Sequence, residues 1–340
     1  MDETREKRNG SSKALGIILF GFILLILLMA FSITKGATNV PMTSVIDGLF
    51  HFNRENQQHL VIIDLRLPRV VASALVGSAL AVSGAIMQGI THNPLADPGI
   101  MGINAGAGFM LSISFAFFPT VGYMNMILIS FLGAVLGAIL VNSVASTGKK
   151  ENSINLVLAG VAINTLLVAL SQGIALMFNV SQNIMFWTVG GVAGSNWQQI
   201  KIMTPWIILA HIGGIIISKS ISTLSLGEDV AKGLGLNTKV VYILSSIIVL
   251  ILAGASVSVI GSVGFVGLIV PHIARFFVGL DYKWIIPTSA VLGAILMVLA
   301  DLGSRIINPP FETPIGAIIS LIGVPFFLYL SCKEGGNING

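Results

Sequence analysis

The sequence predicts an all-α polytopic membrane protein of about ten transmembrane helices, and three observations carry that prediction. Of 340 residues, 54% are hydrophobic and 9% are charged, the latter about a third of the charged share of an ordinary soluble domain. Mean hydropathy is +0.92, and apolar runs recur from residue 14 to residue 331. Basic residues stand singly at the ends of those runs, so the net charge of +4 fits a positive-inside topology and not nucleic-acid binding. A water-soluble fold is excluded, and membrane lipid is the surrounding solvent. Cys332 has no partner for an intrachain disulfide, and its place beside Lys333 marks a cytoplasmic face.

The first apolar run, 14–32, follows Arg5, Lys7, Arg8 and Lys13, as a secretory leader would. It is longer than a cleavable segment of about 7–15 residues and lacks a small-x-small cleavage site, so it predicts a retained helix after a cytoplasmic tail, 1–13. The outside segment 36–65, polar through Asn53 to Gln58, is expected to fold against the membrane face. Further spans are expected at 69–90, 99–118, 121–142, 154–177, 203–218, 239–258, 263–279, 285–302 and 315–332, with a C-terminal tail at 334–340. This alternation puts Lys149, Lys150, Lys219, Lys232, Lys239, Lys283 and Lys333 in the cytoplasm. Lys35, Arg54, Arg66, Arg69, Lys201 and Arg305 fall outside. Both termini are then cytoplasmic, which fits a bacterial plasma (inner) membrane. No Pro/Ser-rich linker divides the chain, so 14–333 reads as one membrane domain. Gly102 and Gly106 offer a small-xxx-small face for close helix packing.

Polar positions mark four places where function could reside. Asn93-Pro94 breaks a helix and Asp97-Pro98 starts one, because Asp accepts an orphan N–H and Pro at the first helical position gives up a donor without an intrahelical partner. Residues 88–99 therefore read as a structured re-entrant turn, with an ordinary turn as the simpler alternative. In the cytoplasmic segment 220–237, Ser225 and Glu228 have the spacing of a capping box, and Gly233 or Gly235 can end the helix it starts. A pair of short helices here would make a knob for a cytoplasmic partner; an amphipathic connector is the alternative. In the fifth span, Asn164, Ser171 and Gln172 mark either a translocation path or interhelical hydrogen bonding. Gly261, Gly264 and Gly267, followed by Pro271 and His272, form a broken element suited to a gate or to small-residue packing.

The sequence shows no catalytic or metal-ligating constellation. C-x-x-C, H-E-x-x-H and G-x-S-x-G are missing, and His51, His59, His92, His211 and His272 are scattered. Without a G-x-x-x-x-G-K-[ST] loop, ATP-driven work requires another subunit. Asp301 and Glu312 could be proton sites of a secondary transporter, or could cap and terminate spans near an aqueous boundary. Composition alone ranks the secondary transporter first.

Four ordered blocks reverse that ranking. They are Arg66 to Gly106, with Arg-Leu-Pro-Arg, Gly77 to Gly84, Gln88 and Asn93-Pro-Leu-Ala-Asp-Pro98-Gly99; Leu226-Gly227 with Leu234-Gly235; Gly261 to Arg275; and Glu312-Thr-Pro-Ile-Gly316 with Gly323 to Phe327. Over nearly the whole chain they resemble the FecCD family of ABC importer permeases, membrane subunits for ferric siderophores, haem and cobalamin.

The resemblance implies a cobalamin-permease-like fold of the type II ABC importers. It implies a homodimer, or a heterodimer with a homologous permease, with the substrate path at the dimer interface. Two cytoplasmic ABC ATPases, which bind ATP and Mg, and an extracytoplasmic substrate-binding protein complete the assembly; no cofactor is expected on this chain. The family's ATPase-coupling element falls on Leu226, Gly227, Glu228, Leu234 and Gly235, and its docking arginines fall on Arg66, Arg69 and Arg305. Ferric siderophore is the first cargo implied, haem or cobalamin the alternative, and transport would proceed by alternating access. A proton-coupled secondary transporter and a passive membrane scaffold are the contrasting classes.

Overall fold

The computed structural model describes residues 2–36, 38–146, 153–309 and 311–336; Lys149 and Lys150 lie outside them, as does most of the C-terminal tail. Every regular element among the described residues is helical: α1 Asp2–Thr34, α2 Met42–Phe50, α3 Gln57–Leu60, α4 Leu67–Thr91, α5 Ile103–Phe117, α6 Tyr123–Ala145, α7 Ser153–Met177, α8 Ser181–Val189, α9 Trp197–Leu224, α10 Glu228–Gly233, α11 Thr238–Ile260, α12 Val266–Val278, α13 Tyr282–Ile306 and α14 Ile315–Gly336. Seven of these helices carry stretches long and apolar enough to cross a membrane, and Ile103–Phe117, Val266–Val278 and Ile315–Leu330 are shorter apolar helices. Together they correspond to the spans expected from the sequence. Three details differ. Helix α1 begins at Asp2, so most of the expected N-terminal tail is helical. The segment 36–65 contains α2, α3 and a π-helical turn, Val61–Arg66, that runs straight into α4. Helix α8 occupies a stretch for which no element is expected.

Helix α4 is the central element, packed against α13, α11, α12 and α9. Residues Ala79 through Ile90 are all buried, so this helix is enclosed on every side rather than amphipathic. Lipid supplies no hydrophobic drive between helices, so close backbone approach must do the work. Cβ atoms at Gly77 or Gly293 would overlap the opposing backbone where α4 crosses α13. The small-residue face expected at Gly102 and Gly106 packs in the same way onto Gly133 and Gly137 of α6. Helices α5, α6 and α7 form a second group, joined to the first through α11. Helices α1, α7 and α9 are mostly exposed, with Leu27, Met177 and Ile216 at 61%, 80% and 73%.

Candidate functional site

At one end of the bundle, Arg69, Arg305, Asp301 and Glu312 form one ion-pair network, and Arg66 meets it at the end of α1. The Arg69 side chain donates from Nε to Asp301 Oδ1 at 2.7 Å, from Nη1 to Glu312 Oε1 at 2.6 Å and from Nη2 to Ser304 Oγ at 3.2 Å. Arg305 Nη2 donates to Asp301 Oδ2 at 2.7 Å, so one fully buried carboxylate bridges two guanidinium groups. Arg305 Nη1 also reaches the carbonyls of Ser32 at 3.1 Å and Lys35 at 2.8 Å, and Arg66 Nη1 that of Ile33 at 2.7 Å. Ser32 and Ile33 lie in the last turn of α1, whose carbonyls have no intrahelical donors. Arg66 and Arg305 therefore cap α1, where a cation also complements the helix dipole. Arg66, Arg69 and Arg305, where the family resemblance puts the docking positions, are 7–8% exposed and bonded to internal partners. Asp301 is no span terminator near water but the counter-ion that lets those cations be buried.

The opposite end carries a knob between α9 and α11. It contains one short helix, α10, rather than the expected pair, because α9 continues to Leu224. The expected capping box does not form: Ser225 Oγ donates back to the Ser222 carbonyl at 2.8 Å, and Gly227, at φ 120°, takes the N-cap position. Termination follows the sequence closely. Gly235, at φ 81°, places its N–H on the Lys232 carbonyl, and Leu236 N–H reaches Ala231, a Schellman pair that only a residue tolerant of the left-handed region completes cheaply. Glu228 pairs with Lys232 at 2.8 Å on the surface. Leu226 and Leu234 are each 68% exposed on either side of α10. The knob is tied to α4 through His92, whose Nε2–H donates to the Leu224 carbonyl at 2.6 Å. Beside it, Ser222, Ser225, Leu226, Arg275 and Tyr282 line a notch of 390 Å³.

The segment between α4 and α5 folds as an ordered turn. Asn93 Oδ1 accepts from Leu95 N–H at 2.9 Å, and Asp97 Oδ1 from Gly99 N–H at 2.8 Å. Pro94 lies in the turn, and Pro98 opens a 3-10 turn, so α5 starts only after left-handed Gly102. The three polar residues of α7 part company. Asn164 Nδ2 donates to the Gly99 carbonyl at 3.2 Å and Ser171 Oγ to that of Gly108 at 3.4 Å, which is interhelical bonding, whereas Gln172 is exposed on the outer side of the helix. Gly261 has φ 77° and backs onto the Trp187 carbonyl, where a Cβ would not fit; Gly264 has open space around it. Pro271 is buried within α12, and the His272 ring meets Phe326 edge-on at 5.5 Å.

Comparison with known proteins identifies the lineage. The profile of the FecCD transport family matches residues 24–333. The chain belongs to that family. The iron(3+)-hydroxamate import system permease protein FhuB of Bacillus subtilis is 48% identical over 322 residues, covering 94% of this chain and 83% of that protein. The iron-uptake system permease protein FeuB of the same organism is 41% identical over 310 residues, covering 91% and 93%. A solved chain described as an inward-facing conformation of a metal-chelate type ABC transporter matches with a TM-score of 0.81 at 27% identity, covering 94% of this chain and 99% of that one. This FecCD chain is thus a multi-pass membrane permease with the fold its four sequence blocks imply. Two contacts of the permease escape sequence reading: the Asp301 bridge, and a bond from Arg275 to the Gln88 side chain. The only advance signal for either is charge set in otherwise apolar runs.

Proposed function

We propose that this permease carries ferric siderophores, ferric hydroxamates first among them, across a bacterial plasma membrane as the translocating subunit of an ATP-driven importer. The observation that carries the cargo is the 48% identity to FhuB over 94% of the chain. Two cytoplasmic ATPases, which hold the ATP and Mg, dock on the knob at Leu226–Gly235. Two exposed leucines flanking a six-residue helix support that reading, since such apolar surface calls for a protein cover. A second copy of the chain, or a homologous permease, covers the exposed helices, with the path between the two and Gln172 of α7 beside it. Both termini lie in the cytoplasm.

An extracytoplasmic binding protein docks at the arginine end. On the side expected outside, Lys35, Arg54, Arg66, Arg69, Lys201 and Arg305 stand against Asp47, Glu55, Asp64, Asp301 and Glu312, a small positive excess that helps steer an acidic partner through its field. Cargo passes by alternating access, without covalent chemistry, as ATP binding and hydrolysis move the knob.

The test is uptake of labelled ferric hydroxamate, ferric catecholate, ferric citrate, haem and cobalamin by cells with and without the gene, each with the ATPase intact or inactivated. Selective, ATPase-dependent loss of ferric hydroxamate uptake is expected. Loss of haem or cobalamin uptake alone would reassign the cargo, and ATPase-independent loss would overturn the mechanism.

A further inference from the structure

Gln88 is 3% exposed near the cytoplasm-directed end of α4, and both halves of its amide are engaged. Its Nε2 faces the carbonyls of Gly267 at 3.2 Å, Leu268 at 3.4 Å and Ala96 at 3.4 Å. The Gly267 carbonyl has a specific need. Its helical donor would be the N–H of residue 271, and residue 271 is proline. The Gln88 amide supplies the missing donor, at a place where Gly84 lets the α4 backbone lie directly against Gly267. On its other side, Gln88 Oε1 accepts from Arg275 Nη2. Arg275 lines the notch together with Ser225 and Leu226, the first residues of the knob. One side chain therefore touches the re-entrant turn, the proline break of α12 and the wall of the knob's own notch.

We propose that Gln88 is a positioning residue that transmits movement of the ATPase-facing knob, through Arg275, to the broken start of α12 and the 93–98 turn. The inference rests on the importer reading given above. A displaced knob shifts the notch wall and with it the Arg275 guanidinium. The amide, held on two sides, passes that shift to Gly267 and Ala96, whose backbone has no other side-chain donor among the hydrogen bonds described. Buried amides with both ends bonded are costly to leave half-made, so the link stays closed through the cycle.

The experiment uses the full complex of permease, ATPases and binding protein in proteoliposomes, reading ferric hydroxamate uptake, ATP hydrolysis with and without loaded binding protein, and thermal stability. Gln88→Met should lower uptake at least tenfold while hydrolysis continues without stimulation by the binding protein. Arg275→Met, at a partly exposed position, should do the same, and the double variant should be no worse than either. Adding Pro271→Ala to Gln88→Met returns an N–H to the Gly267 carbonyl, so it should restore thermal stability without restoring uptake. Recovery of uptake by Pro271→Ala would overturn the proposal, because the amide would then serve only an orphan carbonyl. Wild-type uptake and stimulation in Gln88→Met would overturn it as well. If the wild-type complex itself shows no ATP-dependent uptake of any ferric chelate, the importer reading fails and this link falls with it.

Discussion

The two ends of the bundle solve opposite problems. At the arginine end, charge is buried: Asp301 is wholly enclosed and holds Arg69 and Arg305 at 2.7 Å. At the knob, apolar surface is exposed: Leu226 and Leu234 stand out beside a helix of six residues. Buried ion networks are weak sources of net stability but strongly penalise any geometry that separates them. Exposed leucines cost little in the isolated chain and gain only when something covers them. The first end thus joins α1, α4 and α13 as a platform, while the second exposes apolar surface that the proposed ATPase contact would cover.

The sharpest way to break this contrast is Asp301→Ala. It leaves two buried guanidinium groups without their shared counter-ion and loosens the cap on α1, a loss of about 3–5 kcal/mol for a broken buried pair. Thermal unfolding of the detergent-solubilised permease should show a large fall in midpoint. A near-wild-type midpoint would mean that the arginines find other partners and that the platform is not fixed. The same reasoning changes how docking at this end should be tested. Charge reversal of Arg66, Arg69 and Arg305 together would disrupt the platform before it disrupted any partner, so lost uptake in that variant would not isolate docking.

Glu312→Gln sharpens the contrast within the arginine end. Its carboxylate meets the same Arg69 at 2.6 Å, but its side chain is 46% exposed, so water can replace it. A loss of about 1 kcal/mol or less is expected, as for solvent-screened pairs. A cost equal to that of Asp301→Ala would show that burial is not what separates the two acids.

These differences also explain what the sequence could and could not reveal. The spans were legible because lipid demands long apolar runs, and the turn at Asn93 to Pro98 because Asx and Pro chemistry is local. The stop of α10 was legible for the same reason, although the sequence offered Gly233 as well as Gly235 and only the fold chose between them. The capping box at Ser225 and Glu228 was not decidable from spacing, because α9 runs on and claims Ser225 for its own last turn. The burial of Arg69 was invisible because its partners lie 232 and 243 residues away. Only the packing of α4 on α13 brings them together.

Leu226→Glu is expected to have the smallest effect on the isolated chain and a complete one on transport. At 68% exposure the residue buries little, so its replacement should change stability by no more than about 0.5 kcal/mol, as at other surface positions. In the assembled importer the same carboxylate would be forced into an apolar contact with the ATPase, where an unpaired charge is heavily penalised. The permease should therefore melt normally, fail to co-purify with its ATPases and import nothing. Leu234→Glu, on the other flank of α10, should behave alike, because one covering surface has to reach both leucines. If either variant retains ATPase binding and uptake, that flank stays in water during the cycle, and the contact surface narrows to the other side of α10.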